Sequence, residues 1–258
     1  MAEAKKKKIV SADTGKEVEA GSKRSVKQAA PVGNATGYRV GAVLLWIVAI
    51  ALEVVAVLMF IGKIDLKFMQ VLYQMIAALV LDLIFVIIGS TLWKKANHIK
   101  PASEKNPVLF WLWNNMGLIV CAFAFIPFVI LALTNKEADK KTKAVATVVA
   151  IIAMLIGGLV SYDWNPVSKE EKDAAMTTIT TDVYWAPFGR VYHTHEDCGH
   201  LNKSEKLTVG SVEKAIEEGR TRLCSSCAKK DDIQGVATDG SSTSDDSSED
   251  TTTAGSNE

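Results

Sequence analysis

The chain has 258 residues with 29 basic and 29 acidic side chains, so its formal net charge is zero, and 48% of its residues are hydrophobic. This balance argues against a chain that is basic throughout, but the average conceals regions of opposite character. The N-terminal part is basic, the middle is strongly apolar and the last segment is acidic.

The first 39 residues are predicted to be a disordered basic tail, because they carry too little apolar surface to offset the entropy of ordering. They include the run KKKK at 5–8. Next to a membrane, such a tail is typical of a topology signal with a weak attraction to anionic lipid. Nucleic-acid binding by this run is kept as an alternative. No secretory signal is expected, since the first apolar run begins only near Val40 and is too long.

Four apolar runs are each long enough to cross a bilayer, which takes about 20 residues. Each run is apolar on all sides rather than along one stripe, which argues against helices of a soluble domain. The runs predict a transmembrane domain over 40–162 in contact with the lipid bilayer. Its spans are expected at about 40–62, 69–93, 108–133 and 144–162.

The number of spans and the loop charges predict the orientation. Four spans place both termini on the same side of the membrane. Lysine and arginine are more frequent on that side, although KKTK at 140–143 opposes the bias. By the positive-inside rule both termini are expected in the cytoplasm.

Two acidic residues lie near the middle of spans, Glu53 in the first and Asp82 in the second. Each costs about 2.5–3.5 kcal/mol at the bilayer centre, so neither is expected to face lipid. The spans contain no Lys or Arg, so at least one carboxyl is expected to be protonated. One interpretation is a neutral pair that holds helices together, joined by Asn114 and Asn115 of the third span. The other is a proton or cation relay in a small transporter or channel component that works as an oligomer.

A compact polar pattern at 183–230 follows a polar linker at 163–182. The sequence DVYWAPFGRVYH predicts a hairpin with Pro187 and Gly189 at the second and fourth turn positions. GSVEKAIEEG predicts a short helix with Ser211 as N-cap and Gly219 just past its end. A domain this small cannot hold a large apolar core and needs a cross-link. The residues after it, 231–258, are predicted to be a disordered acidic tail.

Histidine and cysteine in this segment supply such a cross-link. Three thiolates and one imidazole match the tetrahedral ligand shell of structural Zn²⁺. His195 and His200 are weaker alternatives for the imidazole position. A redox C-x2-C pair and a disulfide in a module outside the cell are the other interpretations. A closed shell leaves no open position for substrate, so catalysis by the metal is not expected. The expected ligands are His193, Cys198, Cys224 and Cys227.

These residues carry a resemblance to a known family. VYWAPFGRVYHTHEDCGHL, followed by GSVEKAIEEGRTRLCSSC, resembles the small metal-binding module related to the zinc domain of the Ada DNA-repair protein, over about 183–228. The resemblance implies zinc ligation by the same four residues. Ada has four cysteines, one of which accepts a methyl group. Here His193 stands at the first ligand position and no basic recognition helix follows, so methyl transfer and DNA binding are not implied. The membrane part, with FWLWNN and FIPFVILALTNK, resembles uncharacterised four-span bacterial proteins carrying the same module.

The expected fold is mainly α, a four-helix transmembrane bundle plus a small α+β zinc-stapled C-terminal module, in a bacterial inner membrane. The expected role of the module is structural or regulatory, with an unidentified protein partner. No enzymatic activity is expected, since the sequence shows no nucleophile–base constellation or phosphate loop. A transporter component and a membrane-tethered nucleic-acid-binding protein are the alternatives. The nearly balanced charges of the module argue against the second.

Overall fold

A computed structural model describes residues 7–18, 33–67, 69–136 and 138–240. The fold is mainly helical, as expected. Among the described residues, four helices are long and apolar enough to cross a membrane. A short helix precedes the third of them. In chain order the helices are α1 (Ala35–Phe60), α2 (Val71–Ile99), α3 (Pro107–Asn114), α4 (Met116–Thr134) and α5 (Lys140–Ser161).

Small residues let the long helices approach closely. The core of the bundle is rich in alanine, with a few large side chains such as Phe125 and Phe128. A β-carbon added at Gly89 of α2 would lie 2.7 Å from Cδ1 of Trp46 on α1. The outward surfaces of the helices carry exposed valine, leucine and isoleucine. This distribution is typical of helices that pack on one another through small residues and face lipid elsewhere.

The third apolar run differs from its prediction as one span at 108–133. It divides into α3 and α4 at Asn115, whose φ and ψ are −102° and 24°. The side-chain amides of Asn114 and Asn115 donate to the carbonyls of Phe110 and Trp111, each at 3.0 Å. Oδ1 of Asn115 accepts from the Asp163 backbone at 3.1 Å. Asparagine side chains compete in this way with the backbone hydrogen bonds of a helix, which explains the break.

The N-terminal tail, predicted to be disordered over 1–39, is partly ordered. Residues 7–18 form two strands, β1 (Lys8–Ser11) and β2 (Glu17–Val18), and α1 begins at Ala35. Ile9 in β1 is only 4% exposed and packs against apolar residues of the C-terminal module. The prediction failed because the apolar partner of this short strand lies far along the chain. The rest of the tail, 1–6 and 19–32, lies outside the described residues.

The C-terminal module is a small α+β unit, as predicted. Its elements are β3 (Val183–Trp185), β4 (Val191–Tyr192), a 3-10 turn (Gly199–Leu201), β5 (Lys206–Gly210), α7 (Val212–Glu217), β6 (Arg222–Leu223) and α8 (Ser225–Lys230). A four-stranded sheet has the order β2-β1-β5-β3, with β1 parallel to β5, and β4 pairs with β6 in a separate parallel ladder. The core of the module includes Trp185, Tyr192, Ile216 and Leu223.

The local turns of the module follow the sequence. Gly189 donates its backbone N–H to the carbonyl of Ala186 at 3.1 Å, which closes the predicted turn. Ser211 caps α7 by accepting from the backbone of Lys214. Gly219 follows α7 with φ +86°, a left-handed conformation that favours glycine. These turns fix the path of the chain on both sides of β5.

The predicted linker 163–182 is also more ordered than expected. It contains the helix α6 (Lys169–Thr178), whose N-terminus carries a capping box formed by Ser168 and Glu171. Lys172 of α6 is buried, donates to the Ile99 carbonyl at the end of α2 at 2.8 Å, and forms an ion pair with Glu213 of α7 at 3.4 Å. The segment therefore connects the bundle to the module through specific contacts rather than as a free spacer.

The predicted acidic tail begins later than residue 231. The backbone N–H of Leu223 donates to the Ala237 carbonyl at 2.9 Å, and Asp239 accepts from the N–H of Ser225 at 2.7 Å. The module thus extends to residue 240, because this stretch pairs with β6 and caps α8. Residues 241–258 lie outside the described part of the chain.

Candidate metal centre

Four side chains of the module form a compact cluster of ligand atoms. One ligand atom from each of His193, Cys198, Cys224 and Cys227 lies within 4.8 Å of all the others. The sulfurs of Cys198 and Cys224 are 4.0 Å apart, and Nδ1 of His193 is 3.8 Å from Sγ of Cys227. Two sulfurs bound to one tetrahedral zinc at about 2.3 Å each would be about 3.8 Å apart. The cluster therefore has the dimensions of a four-ligand metal site.

Backbone hydrogen bonds bring the two halves of the cluster together. His193 follows β4 and exchanges two backbone hydrogen bonds with Tyr184 of β3, at 2.7 and 2.8 Å. Cys224 begins α8 and donates its N–H to the carbonyl of Tyr192 at 2.9 Å. Cys227 lies one turn further along α8. The hairpin and the C-x2-C turn thus meet through the parallel pairing of β4 with β6.

The sulfur separations also bear on the disulfide alternative. All four cysteines of the chain are free, and Cys198 and Cys224 are separated by about twice a disulfide bond length. Cys121 lies apart from the cluster, in α4, with its sulfur 3.7 Å from the carbonyl of Met154. Three converging cysteines and an imidazole suit a shared ion better than a single sulfur–sulfur bond.

The two alternative histidines have different surroundings. Nε2 of His195 lies 2.6 Å from Oδ1 of Asp231, so this ring is engaged outside the cluster. His200 is exposed, but its Nδ1 lies 3.3 Å from Sγ of Cys224 and 3.9 Å from Sγ of Cys198. His193 is 3% exposed and remains the better ligand, with His200 at the outer edge of the site.

Burial shifts the pKa values of two of the clustered side chains, His193 and Cys198. It lowers the pKa of His193 to about 4, with the neighbouring His200 acting in the same direction. At neutral pH the imidazole is therefore neutral and keeps a lone pair for a metal. Burial raises the pKa of the Cys198 thiol to about 11, and Cys227 and Cys224 act in the same direction. A nearby cation would stabilise the Cys198 thiolate, and this couples folding to metal binding.

The intramembrane residues form two separate groups. Glu53 and Asp82 are 6% and 0% exposed and lie close to each other across α1 and α2. None of their four carboxyl oxygens has a hydrogen-bond partner among the described residues. Asn114 does not join the two carboxyls. Its Oδ1 accepts from the side chain of Asn97 at 3.3 Å, and Asn97 lies about four helical turns beyond Asp82 in α2. Asn115 likewise contacts Trp111 and Asp163 near the bundle end.

Comparison with known proteins adds no family. No family model, no curated protein and no solved structure matches the chain. The candidate site therefore depends on its own geometry and donor chemistry.

Proposed function

We propose that this chain is a bacterial integral membrane protein whose C-terminal module binds one structural Zn²⁺ through His193, Cys198, Cys224 and Cys227. The observation that carries the proposal is the mutual approach of these four ligand atoms within 4.8 Å. Three cysteines and one histidine are a donor set that selects zinc over harder cations such as Mg²⁺. The resemblance to the Ada-related module supports the same ion.

The zinc is proposed to have a structural role rather than a catalytic one. Four protein ligands fill a tetrahedral shell and leave no position for a substrate. The module also lies against the end of α2, where Lys172 and its partners hold it. A folded module fixed beside the bilayer, on the cytoplasmic side in this proposal, is suited to binding or regulating a protein partner. The proposed activity is therefore interaction, without catalysis.

Metal analysis of the full-length chain tests this proposal. Protein purified in detergent without added metal should contain one zinc per chain by elemental mass spectrometry. Cys224→Ser and Cys227→Ser should lose most of it, because each removes a buried ligand. Cys121→Ser is the matched control, since that buried cysteine lies in α4, and it should keep full occupancy. Unchanged zinc in both ligand variants, or an intramolecular disulfide in the native protein, contradicts the proposal.

The carboxyl pair favours a second candidate function, proton or cation transport by an oligomer. Glu53 and Asp82 are buried in the bundle, and their carboxyl oxygens have no hydrogen-bond partner among the described residues. Transport would require both to exchange protons or bind a cation, so Glu53→Gln should abolish flux into proteoliposomes. The exposed Glu104→Gln is the control variant. Equal flux in protein-containing and protein-free vesicles would leave the pair as a helix-packing contact.

A further inference from the structure

A cavity of about 480 Å³ lies between the bundle and the module. One wall is the last two turns of α2, including Lys94, Lys95 and His98. The second is the connection after α5, with Asp163 and Trp164. The third is formed by the module, including Arg190. None of its lining residues belongs to the metal cluster or to the carboxyl pair, so the cavity is a separate feature of the fold.

Two of the cations that line the cavity have no hydrogen-bond or ion-pair partner among the described residues. Arg190 is exposed and has no hydrogen-bond or ion-pair partner among the described residues. Lys95 is also exposed, and its Nζ only lies over the ring of Tyr38, at 4.9 Å. Lys94, by contrast, is committed to the carbonyl of Val160 at 2.6 Å, and Arg220 pairs with Glu218 at 3.5 Å. The lining carboxylates Glu217 and Glu218 are paired with Lys214 and Arg220. The unpaired cations that an anionic group entering the cavity would meet are therefore Arg190 and Lys95.

The same cavity holds two buried acceptors without donors. Asp163 is 5% exposed, and its Oδ2 has no hydrogen-bond partner among the described residues. Nε2 of His98 is buried and equally unpartnered. The His98 ring lies near the backbone of Asn165, and in the neutral tautomer that carries its proton on Nδ1 the free Nε2 is an acceptor. Buried polar atoms are normally satisfied, so these two acceptors indicate a missing donor.

The position of the cavity specifies the kind of molecule that would enter it. It lies where α2 and α5 end, next to Tyr162 and Trp164, and aromatic side chains of this kind favour the membrane interface. The adjoining turn of α5 exposes Leu159 and Val160, which are 62% and 42% exposed. An amphiphile could keep its chains on this apolar surface while its headgroup occupies the cavity.

We propose that the cavity binds the headgroup of a zwitterionic aminophospholipid. The phosphate lies between the exposed cations Lys95 and Arg190. Oδ2 of Asp163 and Nε2 of His98 are both buried, and a rotation of these two side chains toward the cavity lets them accept from the ammonium group. Each end of such a headgroup meets groups of the opposite chemistry, and both buried acceptors gain a donor. A bound lipid of this kind joins the bundle to the module and makes the module sensitive to membrane composition.

Titration calorimetry on the full-length, zinc-loaded protein in detergent tests this site. The probes are dihexanoyl phosphatidylethanolamine, dihexanoyl phosphatidylglycerol and inorganic phosphate. The ethanolamine lipid should bind saturably at one per chain, and more tightly than the glycerol lipid. Lys95→Gln combined with Arg190→Gln should weaken it about tenfold or more, because two charged contacts are lost. Lys203→Gln, an exposed lysine of the module outside the cavity, should bind as the native protein does.

The amine part of the proposal has its own variant. Asp163→Asn should reduce the preference for the ethanolamine lipid while retaining binding of the phosphate. If Asp163→Asn does not fold, the double variant of the exposed Lys95 and Arg190 still tests lipid binding. Its zinc content shows whether the module is intact. Equal binding of both lipids by the native protein overturns recognition of the amine. Binding of inorganic phosphate as tight as that of lipid, or no saturable lipid binding, overturns the lipid site.

Discussion

The bundle and the module are stabilised in different ways. The long helices of the bundle have 19 to 29 residues, half of their buried core residues are alanine, and their outer surface exposes valine, leucine and isoleucine. The module has strands of two to five residues and a core of large side chains around Trp185 and Tyr192. It also depends on a strand from the opposite end of the chain and on four converging ligands.

The two regions depend on different interactions for their stability. Long helices in a bilayer satisfy their own backbone hydrogen bonds and need mainly close packing. A domain of a few dozen residues buries too little apolar surface to be stable alone, and therefore needs cross-links. We expect changes to the metal site to unfold the module selectively and changes to small residues to affect the bundle selectively.

Metal removal should give the largest effect. Structural zinc contributes roughly 10–16 kcal/mol of apparent binding free energy in small zinc domains, more than a module of this size can supply otherwise. Chelation of the full-length protein should therefore unfold 183–240 and leave the bundle helical. Limited proteolysis followed by mass spectrometry should show new cleavage sites confined to the module, while circular dichroism retains most of its helical signal.

The same experiment includes its own control. Re-addition of zinc should restore protection of the module, whereas Mg²⁺ should not, because thiolate and imidazole ligands disfavour it. Loss of helical signal in parallel with the new cleavages would show that the two regions unfold together. That outcome would contradict the separation of the two regions.

The N-terminal strand should give the next largest effect. Ile9→Ala removes a buried side chain that packs against Leu207 and Val209, which should cost about 2–4 kcal/mol of module stability. Val10→Ala is the matched control, because that residue is only half-buried on the other face of β1. Both variants should keep full zinc occupancy, and a urea titration followed by proteolysis should separate them. Equal urea midpoints for the two variants would show that β1 contributes little to the stability of the module.

The sequence was sufficient for the parts of the fold that have local causes. Apolar runs exceeding the bilayer thickness predict the long helices, and the turn residues Pro187, Gly189 and Gly219 predict the local path of the module. The pairing of β1 with β5 could not be predicted, because the strand is four residues long and its partner is remote in sequence. The break at Asn115 had a signal, two adjacent asparagines in an apolar run, but not an unambiguous one.

The candidate site, like the fold, could be predicted only where its residues lie in a recognisable local pattern. The spacing of His193, Cys198, Cys224 and Cys227 predicts the four side chains whose ligand atoms the structure brings within 4.8 Å of one another, since three cysteines and a histidine are a typical zinc donor set. The approach of His200 to the cluster depends on the turn after Cys198, which spacing alone does not specify. The cavity beside Arg190 has no sequence signature, because three separate segments form it.

A substitution at a glycine of the bundle should destabilise the bundle and leave the module intact, the opposite of what metal removal should do. A β-carbon at Gly117 of α4 would lie 2.6 Å from Cβ of Ser90 on α2, so Gly117→Ala should destabilise the bundle by about 1–3 kcal/mol through overpacking. At Gly158 of α5 the nearest atom is a flexible methyl of Leu118 at 3.4 Å, so Gly158→Ala is the control and should be nearly neutral. Unfolding in mixed micelles should separate the two variants while zinc content stays constant. A loss of zinc in Gly117→Ala would mean that bundle packing controls the module.

The helix between the two regions should give the smallest effect and tests how tightly they are coupled. Ser168 is fully buried, and its hydroxyl accepts from the N–H of Glu171 at 3.0 Å while its own backbone N–H donates to the Glu171 carboxylate at 2.9 Å. Ser168→Ala removes this N-cap and should cost about 1 kcal/mol. Thr177→Ala, exposed near the end of α6, is the control.

Because Lys172 of α6 contacts both α2 and α7, loosening this helix should increase hydrogen exchange where the module meets the bundle and leave exchange at the metal ligands unchanged. Faster exchange around Cys224 as well would mean that the metal site depends on docking, and the two regions would then form one cooperative unit.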